Sequence, residues 1–373
     1  MDAETDDRGG RIKLLMLGSL NHPHVEHLAL GMRERGFEVA VGGDVLANLP
    51  RSVLPAEGVP TFVAPHQVRG SARGAASHVR WIRRLLREME PDITHAHWLC
   101  GFACFAALAG AKPLVAMAWG SDVLRADRLK QAANRVALSR TALAMADSQA
   151  LLEAMVDLGG RRERMMLMSW GVDLAHFRPS DRERKAVRAA LGLPEGRAVL
   201  SPRSLWPLYN PRTIVDAFEL LADDLPDLQL VLKHMGTDRP PVGPLRYPDR
   251  VHIVGHVPYE RMVDWYQASD VCVSIASSDS SPRSVWEAVA SGTPCVVSDL
   301  PWVHELMVSG RDALVVPIDA EPVAEAIRAI LDDPALAGAM AGNGRRLVEA
   351  HHDQVVEMDH VADAYRKLTA FPA

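Results

Sequence analysis

The sequence predicts an α/β protein built from two Rossmann-like domains whose parallel sheets face across a cleft. Three observations carry this. At 373 residues the chain is longer than one ordinary hydrophobic core serves and suits two α/β domains. Short apolar runs alternate with helical stretches, which is the rhythm of βα units and buried parallel strands. The rhythm breaks once near the middle, at GVDLAHFRPSDRERK (residues 171–185), where a Pro-Ser turn precedes a charge run and reads as a linker.

Taken in order, IKLLMLG (12–18) is a buried strand and VEHLALGMRERG (25–36) a helix ending at a glycine. EVAVGG, TFVAP, DITHAHW, PLVAMAWG and ALAMADS are the next strands, with helices such as HVRWIRRLLREME and ALLEAMVDLG between them. A second series follows the break: AVLSPRS, LQLVLKHMG, VHIVGHVP, VCVSIASS, PCVVSD and ALVVP, with helices from Pro211, Tyr259, Pro282, Trp302, Glu321 and Leu336 onward. The last stretch, with VVEMDHVADAYRKL, is an amphipathic helix with no strand after it. The expected domains are residues 1–178, residues 179–354, and a terminal helix over 355–373 that packs back on the first domain. In doubly wound sheets ligands bind beyond the carboxyl ends of the strands, so functional residues are expected just after strands.

Composition narrows the function. Apolar residues make up 48% and charged residues 24%, which excludes a disordered or fibrous chain. A net charge of −6 argues against a protein built to neutralise a nucleic-acid backbone. No apolar run reaches the roughly 18–20 residues of a membrane span, and MDAETDDRGG lacks the pattern of a signal peptide. A cytoplasmic location is expected. The four cysteines form no CxxC pair and read as reduced thiols. Cys100 and Cys104 with His95 or His97 lack zinc-site spacing, so no metal is expected there, and His22, His24 and His27 form a second histidine group close in sequence.

The segment ASSDSSPRSVWEAVASG (276–292) carries most of the functional signal. Ser281 offers an N-cap, Pro282 a first helical position, and the helix ends at Gly292. Unpaired amides at Arg283 and Ser284, with the positive end of the helix dipole, suit a diphosphate, and Arg283 adds a cation. Glu287 lies one turn on and can accept two hydrogen bonds from the vicinal hydroxyls of a ribose. Asp279 can do the same for a sugar. The alternative is an Arg283–Glu287 surface ion pair on an ordinary capped helix.

Asp279, Glu287, Ala288, Gly292 and Pro294 match the signature of two acidic residues separated by seven, followed by A-x-x-x-G-x-P. The chain thereby resembles the family-4 retaining glycosyltransferases of the GT-B fold. ADSQALLEAM, WGVDLAHFRP, VLSPRSLWPLYNPRTIVDAF, VHIVGHVPYERMVDWYQASDV and ELMVSGRDALVVP are similar to successive landmarks of that family. The resemblance implies that Asp279 contacts the transferred sugar, Glu287 the ribose, Arg203 the diphosphate, and Gly255, His256 and Val257 the base. It departs from the family in four ways. Aspartate stands at 279 where glutamate is usual. Pro282 stands where glycine is frequent. The lysine expected shortly after Arg203 is missing from SLWPLYNPR, which leaves Lys233 as substitute or as a solvated strand end. Trp119-Gly120-Ser121-Asp122 stands where many relatives have His-Gly-x-Asp.

The first domain is expected to bind the acceptor. Gly18 lets the following loop approach the phosphates, and His97, Trp119 and Gly120 are acceptor-side candidates. Asp122 either orients or deprotonates an acceptor hydroxyl or caps a helix. The implied reaction is metal-independent, same-face transfer from a nucleoside-diphosphate sugar, which acts as co-substrate, with no other cofactor and no nucleic-acid partner. Arg203, Lys233 and the amides of 281–284 would stabilise the departing diphosphate. Two alternatives stay open: a sugar-nucleotide epimerase of the same fold, and a non-catalytic sugar-nucleotide-binding protein. Arg80, Arg83, Arg84 and Arg87 on one predicted helix form either a solvated face or a contact for an anionic membrane or a phosphorylated acceptor.

Overall fold

Runs of β-branched and other apolar residues, too short for helices and bounded by turns, become the strands. The computed structural model describes residues 11–65, 72–180, 184–235 and 242–370. In chain order the strands are β1 (Lys13–Leu17), β2 (Glu38–Gly43), β3 (Thr61–Val63), β4 (Ile93–His97), β5 (Leu114–Met117), β6 (Leu143–Ala146), β7 (Met165–Leu167), β8 (Ala198–Ser201), β9 (Gln229–Lys233), β10 (Val251–Val254), β11 (Val271–Ser274), β12 (Cys295–Ser298) and β13 (Leu314–Val316).

They form two sheets, β3-β2-β1-β4-β5-β6-β7 and β10-β9-β8-β11-β12-β13. Every pairing is parallel. Each sheet grows outward in one direction and then restarts from its first strand in the other. That places a topological switch point between β1 and β4 in one sheet and between β8 and β11 in the other, where such folds open a ligand crevice.

The chain divides into two compact units. One comprises the residues up to Ala146, Leu151–Met168 and the residues from Met358; the other comprises Asp147–Ala150 and Ser169–Glu357. In the second unit, alternate strand residues go to opposite faces. Val199, Leu230 and Leu232 join one core, while Leu200, Val231 and Cys272 join another. Both faces are therefore covered by helices, and each fully buried Val or Leu contributes on the order of 1.5–3 kcal/mol. In the first unit Ile82 and Leu85, from helix Ala72–Met89, pack with Leu15, Leu17 and Ala96 of the sheet.

Several boundaries differ from those the sequence suggested. Residues 171–180 are not a linker. Val172 bridges to Asp353, and Phe177, fully buried, belongs to a core of the second unit. The division thus falls at 168/169 rather than 178/179, because one hydrogen-bonded bridge and one aromatic side chain commit the segment. Residues 181–183 of the expected linker lie outside the described residues, and Arg184–Leu191 is a helix. β7, a three-residue strand, and helices Cys104–Ala109 and Arg128–Arg140 were not anticipated. The helix expected from Trp302 is one turn, Val303–Leu306. The last helix is Gln354–Ala370.

Candidate functional site

At the switch point of the second sheet, β9, β8 and β11 lie side by side and each delivers a polar group from its carboxyl end. Lys233 is the last residue of β9, Arg203 stands two residues past β8, and Asp279 follows β11 in the loop before helix Arg283–Ala290. Hydrogen bonds tie the loops together. Asn210 Nδ2 donates to Ile275 O (3.1 Å), and Ser277 N donates to Leu208 O (2.9 Å).

Arg203 is the hub. Its Nη1 donates to Ser284 Oγ at 3.2 Å, its Nη2 lies 2.8 Å from Asp279 Oδ2, and its guanidinium stacks 4.2 Å from the Tyr209 ring centroid. Arg283 is turned back along its own helix. Its Nε lies 3.0 Å from Glu287 Oε1, it hydrogen-bonds the Tyr259 hydroxyl, and it covers the Tyr259 ring at 4.6 Å. Asp279 Oδ2 and Arg283 Nε sit in these ion pairs without hydrogen-bond alignment.

Glu287 is buried and accepts from Tyr266 Oη at 3.0 Å. Burial raises the carboxyl pKa of Glu287, opposed by Arg283, Tyr266 and Lys233. Burial likewise raises Asp279, opposed by Arg203. Burial lowers the Lys233 ammonium, against the pull of Glu287. The lysine therefore shares one electrostatic environment with both Glu287 and Arg203. It is partly buried within the cluster rather than a solvated strand end.

The helix start differs in detail from expectation. Pro282, not Ser281, is the N-cap, and no side chain caps the helix. Ser281 Oγ instead accepts from the buried Trp286 indole at 2.9 Å, because a buried N–H needs a partner. The first amides, at Arg283 and Ser284, thus begin a helix whose N-terminus has no side-chain cap. Beyond β10, Gly255 and His256 are exposed and Val257 is buried; Lys233 lowers the His256 pKa alongside the larger effect of burial.

At the switch point of the first sheet, Gly18 follows β1 and His97 ends β4. A side chain at 18 would meet Val25 at 2.8 Å and His97 at 3.0 Å, so glycine is required by close approach. Trp119 Nε1 donates to His97 Nδ1 (3.2 Å), and the His22 and Trp98 rings lie 4.4 and 5.6 Å from that of Trp119. Gly120 has φ of +93°, open to glycine at little cost. Trp98 also has positive φ, +66°, and is 41% exposed. A bulky residue held in that region marks local strain.

Asp122 is 1% exposed, and its two oxygens accept from Leu99 N (2.7 Å) and Trp119 N (2.9 Å). The buried carboxylate holds the backbone at Leu99 and Trp119. Burial drives His97 well below its ordinary pKa and His22 to about 4, so both rings are neutral near pH 7. Among the described residues no group of three His, Cys, Asp or Glu side chains is arranged to hold a metal ion. All four cysteines are free.

Two family models match this chain. One, "Glycosyl transferase 4-like", covers residues 13–152; the other, "Glycosyl transferases group 1", covers residues 198–333, and together they take in well over half of the sequence. The chain belongs to the glycosyltransferase family. The D-inositol 3-phosphate glycosyltransferase of Streptomyces avermitilis is 28% identical over 294 residues, 69% of this chain and 61% of that protein. For like-named relatives in Jonesia denitrificans and Catenulispora acidiphila the matched part is 50% and 43% of their length, so the chain spans about half of these curated relatives. Sucrose-phosphate synthase from Thermosynechococcus elongatus superposes with a TM-score of 0.80 at 20% identity, covering 96% of this chain and 100% of that one. Anabaena HepE in complex with UDP-glucose does so at 0.79 and 20%, with the same coverage. The shared fold is GT-B.

Four residues in contact with the candidate site had escaped the sequence. Tyr209, Tyr259 and Tyr266 contact Arg203, Arg283 and Glu287, from positions with no distinguishing spacing. Asp147 accepts from Ser280 Oγ at 2.6 Å. Its one sequence signal is an acidic residue directly after the apolar strand LAMA.

Proposed function

We propose that this chain transfers a sugar from a nucleoside-diphosphate sugar to an acceptor hydroxyl, with retention of anomeric configuration. The observation that carries this reading is the convergence of Arg203, Lys233, Asp279 and Glu287 on the start of an uncapped helix at the β8/β11 switch point. Two cations and helix amides suit a diphosphate, and two carboxylates eight residues apart suit hydroxyls on either side of it.

In the reaction the bond from the anomeric carbon to the diphosphate breaks, and the nucleoside diphosphate leaves with the electron pair. The acceptor oxygen bonds to the same face through an oxocarbenium-like state, and its proton passes to the departing phosphate oxygen. Arg203, Lys233 and the amides of Arg283 and Ser284 stabilise the charge that develops there. No strong protein base is needed, which fits an Asp122 whose oxygens are both engaged elsewhere. Gly255, His256 and Val257 are assigned to the base. His97, Trp119 and Gly120, with the exposed face of Trp98, are assigned to the acceptor. We place the protein in the cytoplasm, at a membrane surface through the arginines of helix Ala72–Met89; no helix among the described residues is long and apolar enough to cross a membrane.

Incubation with a panel of UDP-, GDP- and ADP-sugars tests the reading. Released nucleoside diphosphate together with a glycosylated product is the expected result. Isomerised donor would make the chain an epimerase, and binding without turnover a sensor. Glu287→Gln keeps the volume of the buried side chain but removes the charge facing Arg283. Donor affinity is expected to fall at least ten-fold while the thermal transition stays cooperative; unchanged affinity would refute the ribose assignment.

A further inference from the structure

The donor-site reading leaves one buried acid unexplained. Asp147 directly follows β6 and belongs to the short stretch Asp147–Ala150 that packs with the second unit. Ser280 Oγ donates to its Oδ1 at 2.6 Å, and the buried Trp170 indole also hydrogen-bonds it. Ser280 is itself 2% exposed and is the neighbour of Asp279, the residue assigned to the transferred sugar. Asp147 and Asp279 are close enough to repel one another.

We propose that Asp147 is a positioning residue of the donor site, acting on the sugar-binding Asp279 through Ser280. Two carboxylates share this corner, and they are not equivalent. Asp279 lies 2.8 Å from the Arg203 guanidinium, whereas the hydrogen bonds described for Asp147 come from neutral donors, a hydroxyl, an indole and its own backbone amide. A charged group that meets the same chain segment is also acidic: Glu305 accepts from Gln149 N and Ala150 N at 2.7 and 2.8 Å. With one cation and two carboxylates, the proton belongs on Asp147. Burial, with the Asp279 charge adding to it, raises its pKa to about 7.

In the acid form, Asp147 anchors the 279–281 loop and leaves a single negative charge beside the incoming diphosphate, so Arg203 can serve both Asp279 and phosphate. In the ionised form a second negative charge faces the donor. The sign follows directly: donor binding is strong below pH 7 and weakens above it.

The test rests on the donor-site reading, and its arms separate the two. Dissociation constants of UDP-glucose, UDP-N-acetylglucosamine and GDP-mannose are measured by calorimetry from pH 5.5 to 8.5, a range in which their diphosphate diesters do not titrate. For a donor that binds, affinity is expected to fall roughly ten-fold as pH rises through 7, from one added charge at short range in a partly buried site. Asp147→Asn is expected to flatten the profile and hold the affinity at its low-pH value. Asp147→Ala, without the anchor for Ser280, is expected to be flat and weak. Ser280→Ala removes the hydrogen bond that favours the ionised form, so the fall should move to higher pH, which gives an independent reading if the position-147 variants fold poorly. A fall that persists unchanged in Asp147→Asn, or a wild-type profile that is flat, overturns the proposal while leaving the donor site intact. Absence of binding by all three probes at every pH overturns the donor-site reading and this proposal with it.

Discussion

Asp122 organises the edge of the first unit beyond β4 and β5 by occupying both carboxylate oxygens with the amides of Leu99 and Trp119, while its own carbonyl accepts from Asn134 Nδ2 (2.9 Å). Burial lifts its pKa to about 6, against 3.8 for an unburied aspartate. Between these values the folded chain holds a proton that the unfolded chain has released, so stability falls as pH rises from about 4 to 6 and stays at the lower level above. The group's contribution to that fall is on the order of 2–3 kcal/mol. Asp122→Asn should lack it. In urea titrations at pH 4.5 and 7.5, wild type is expected to lose more stability between the two conditions than the variant; equal losses would mean that the carboxyl titrates as if exposed. The sequence located Asp122 correctly just past a strand but could not say where its oxygens point, because Leu99 lies on a different loop. The same limit hid Asp147. Glu287 and Arg203 were legible because a helix turn and a strand end fix their surroundings within a few residues.

Helix Ala72–Met89 separates its functions by face. Trp81, Ile82 and Leu85 are buried against the sheet, while Arg80, Arg83, Arg84 and Arg87 are exposed; Arg80, Arg84 and Arg87, with Trp81, Val63 and Pro65, border a groove. The arginines are only loosely committed to the fold: Arg84 lies 3.5 Å from Glu88, and Arg83 Nη2 donates to Leu108 O. Exposed pairs of this kind contribute about 0–1 kcal/mol, so the four arginines can be changed without unfolding the helix. A chain carrying glutamine at all four positions should keep its melting temperature within a few degrees and lose binding to phosphatidylglycerol vesicles in sedimentation at low salt. Wild-type chain that stays in the supernatant would end the membrane assignment. This helix was readable from residue 78 onward because Val79, Ile82, Leu86 and Met89 recur at helical spacing. β7 was not, since three residues, two of them half-buried and one exposed, carry too little period to register. The misplaced N-cap has a similar origin: Ser281 is a good cap in isolation, but a buried indole five residues on takes its hydroxyl.

At the scale of the whole molecule, the two-sheet plan followed from the alternation of apolar and helical segments, but the route of the chain between the units did not. The chain leaves the first unit after Met168, returns to it from Met358, and lends Asp147–Ala150 to the second. These assignments depend on contacts hundreds of residues apart, for which a single sequence has no local signal. Tyr365 is fully buried and its hydroxyl lies 2.6 Å from His95 Nδ1, a pairing across 270 positions on the central strand β4. Met358, Val361 and Ala362 are buried beside it, and Arg35 Nε meets Asp359 at 2.7 Å. The returning helix therefore completes the core of the first unit. Tyr365→Phe, which removes the hydroxyl and leaves one buried ring nitrogen without its partner, should cost about 1–3 kcal/mol. Ending the chain at residue 357 strips several buried side chains at once, each worth about 1.5–3 kcal/mol for a large apolar group, against a total domain stability of roughly 5–15 kcal/mol. Proteolysis of the truncated chain should then degrade residues 11–168 and spare a fragment beginning near residue 169. Equal resistance of both halves would mean that the terminal helix is not part of the first unit's fold.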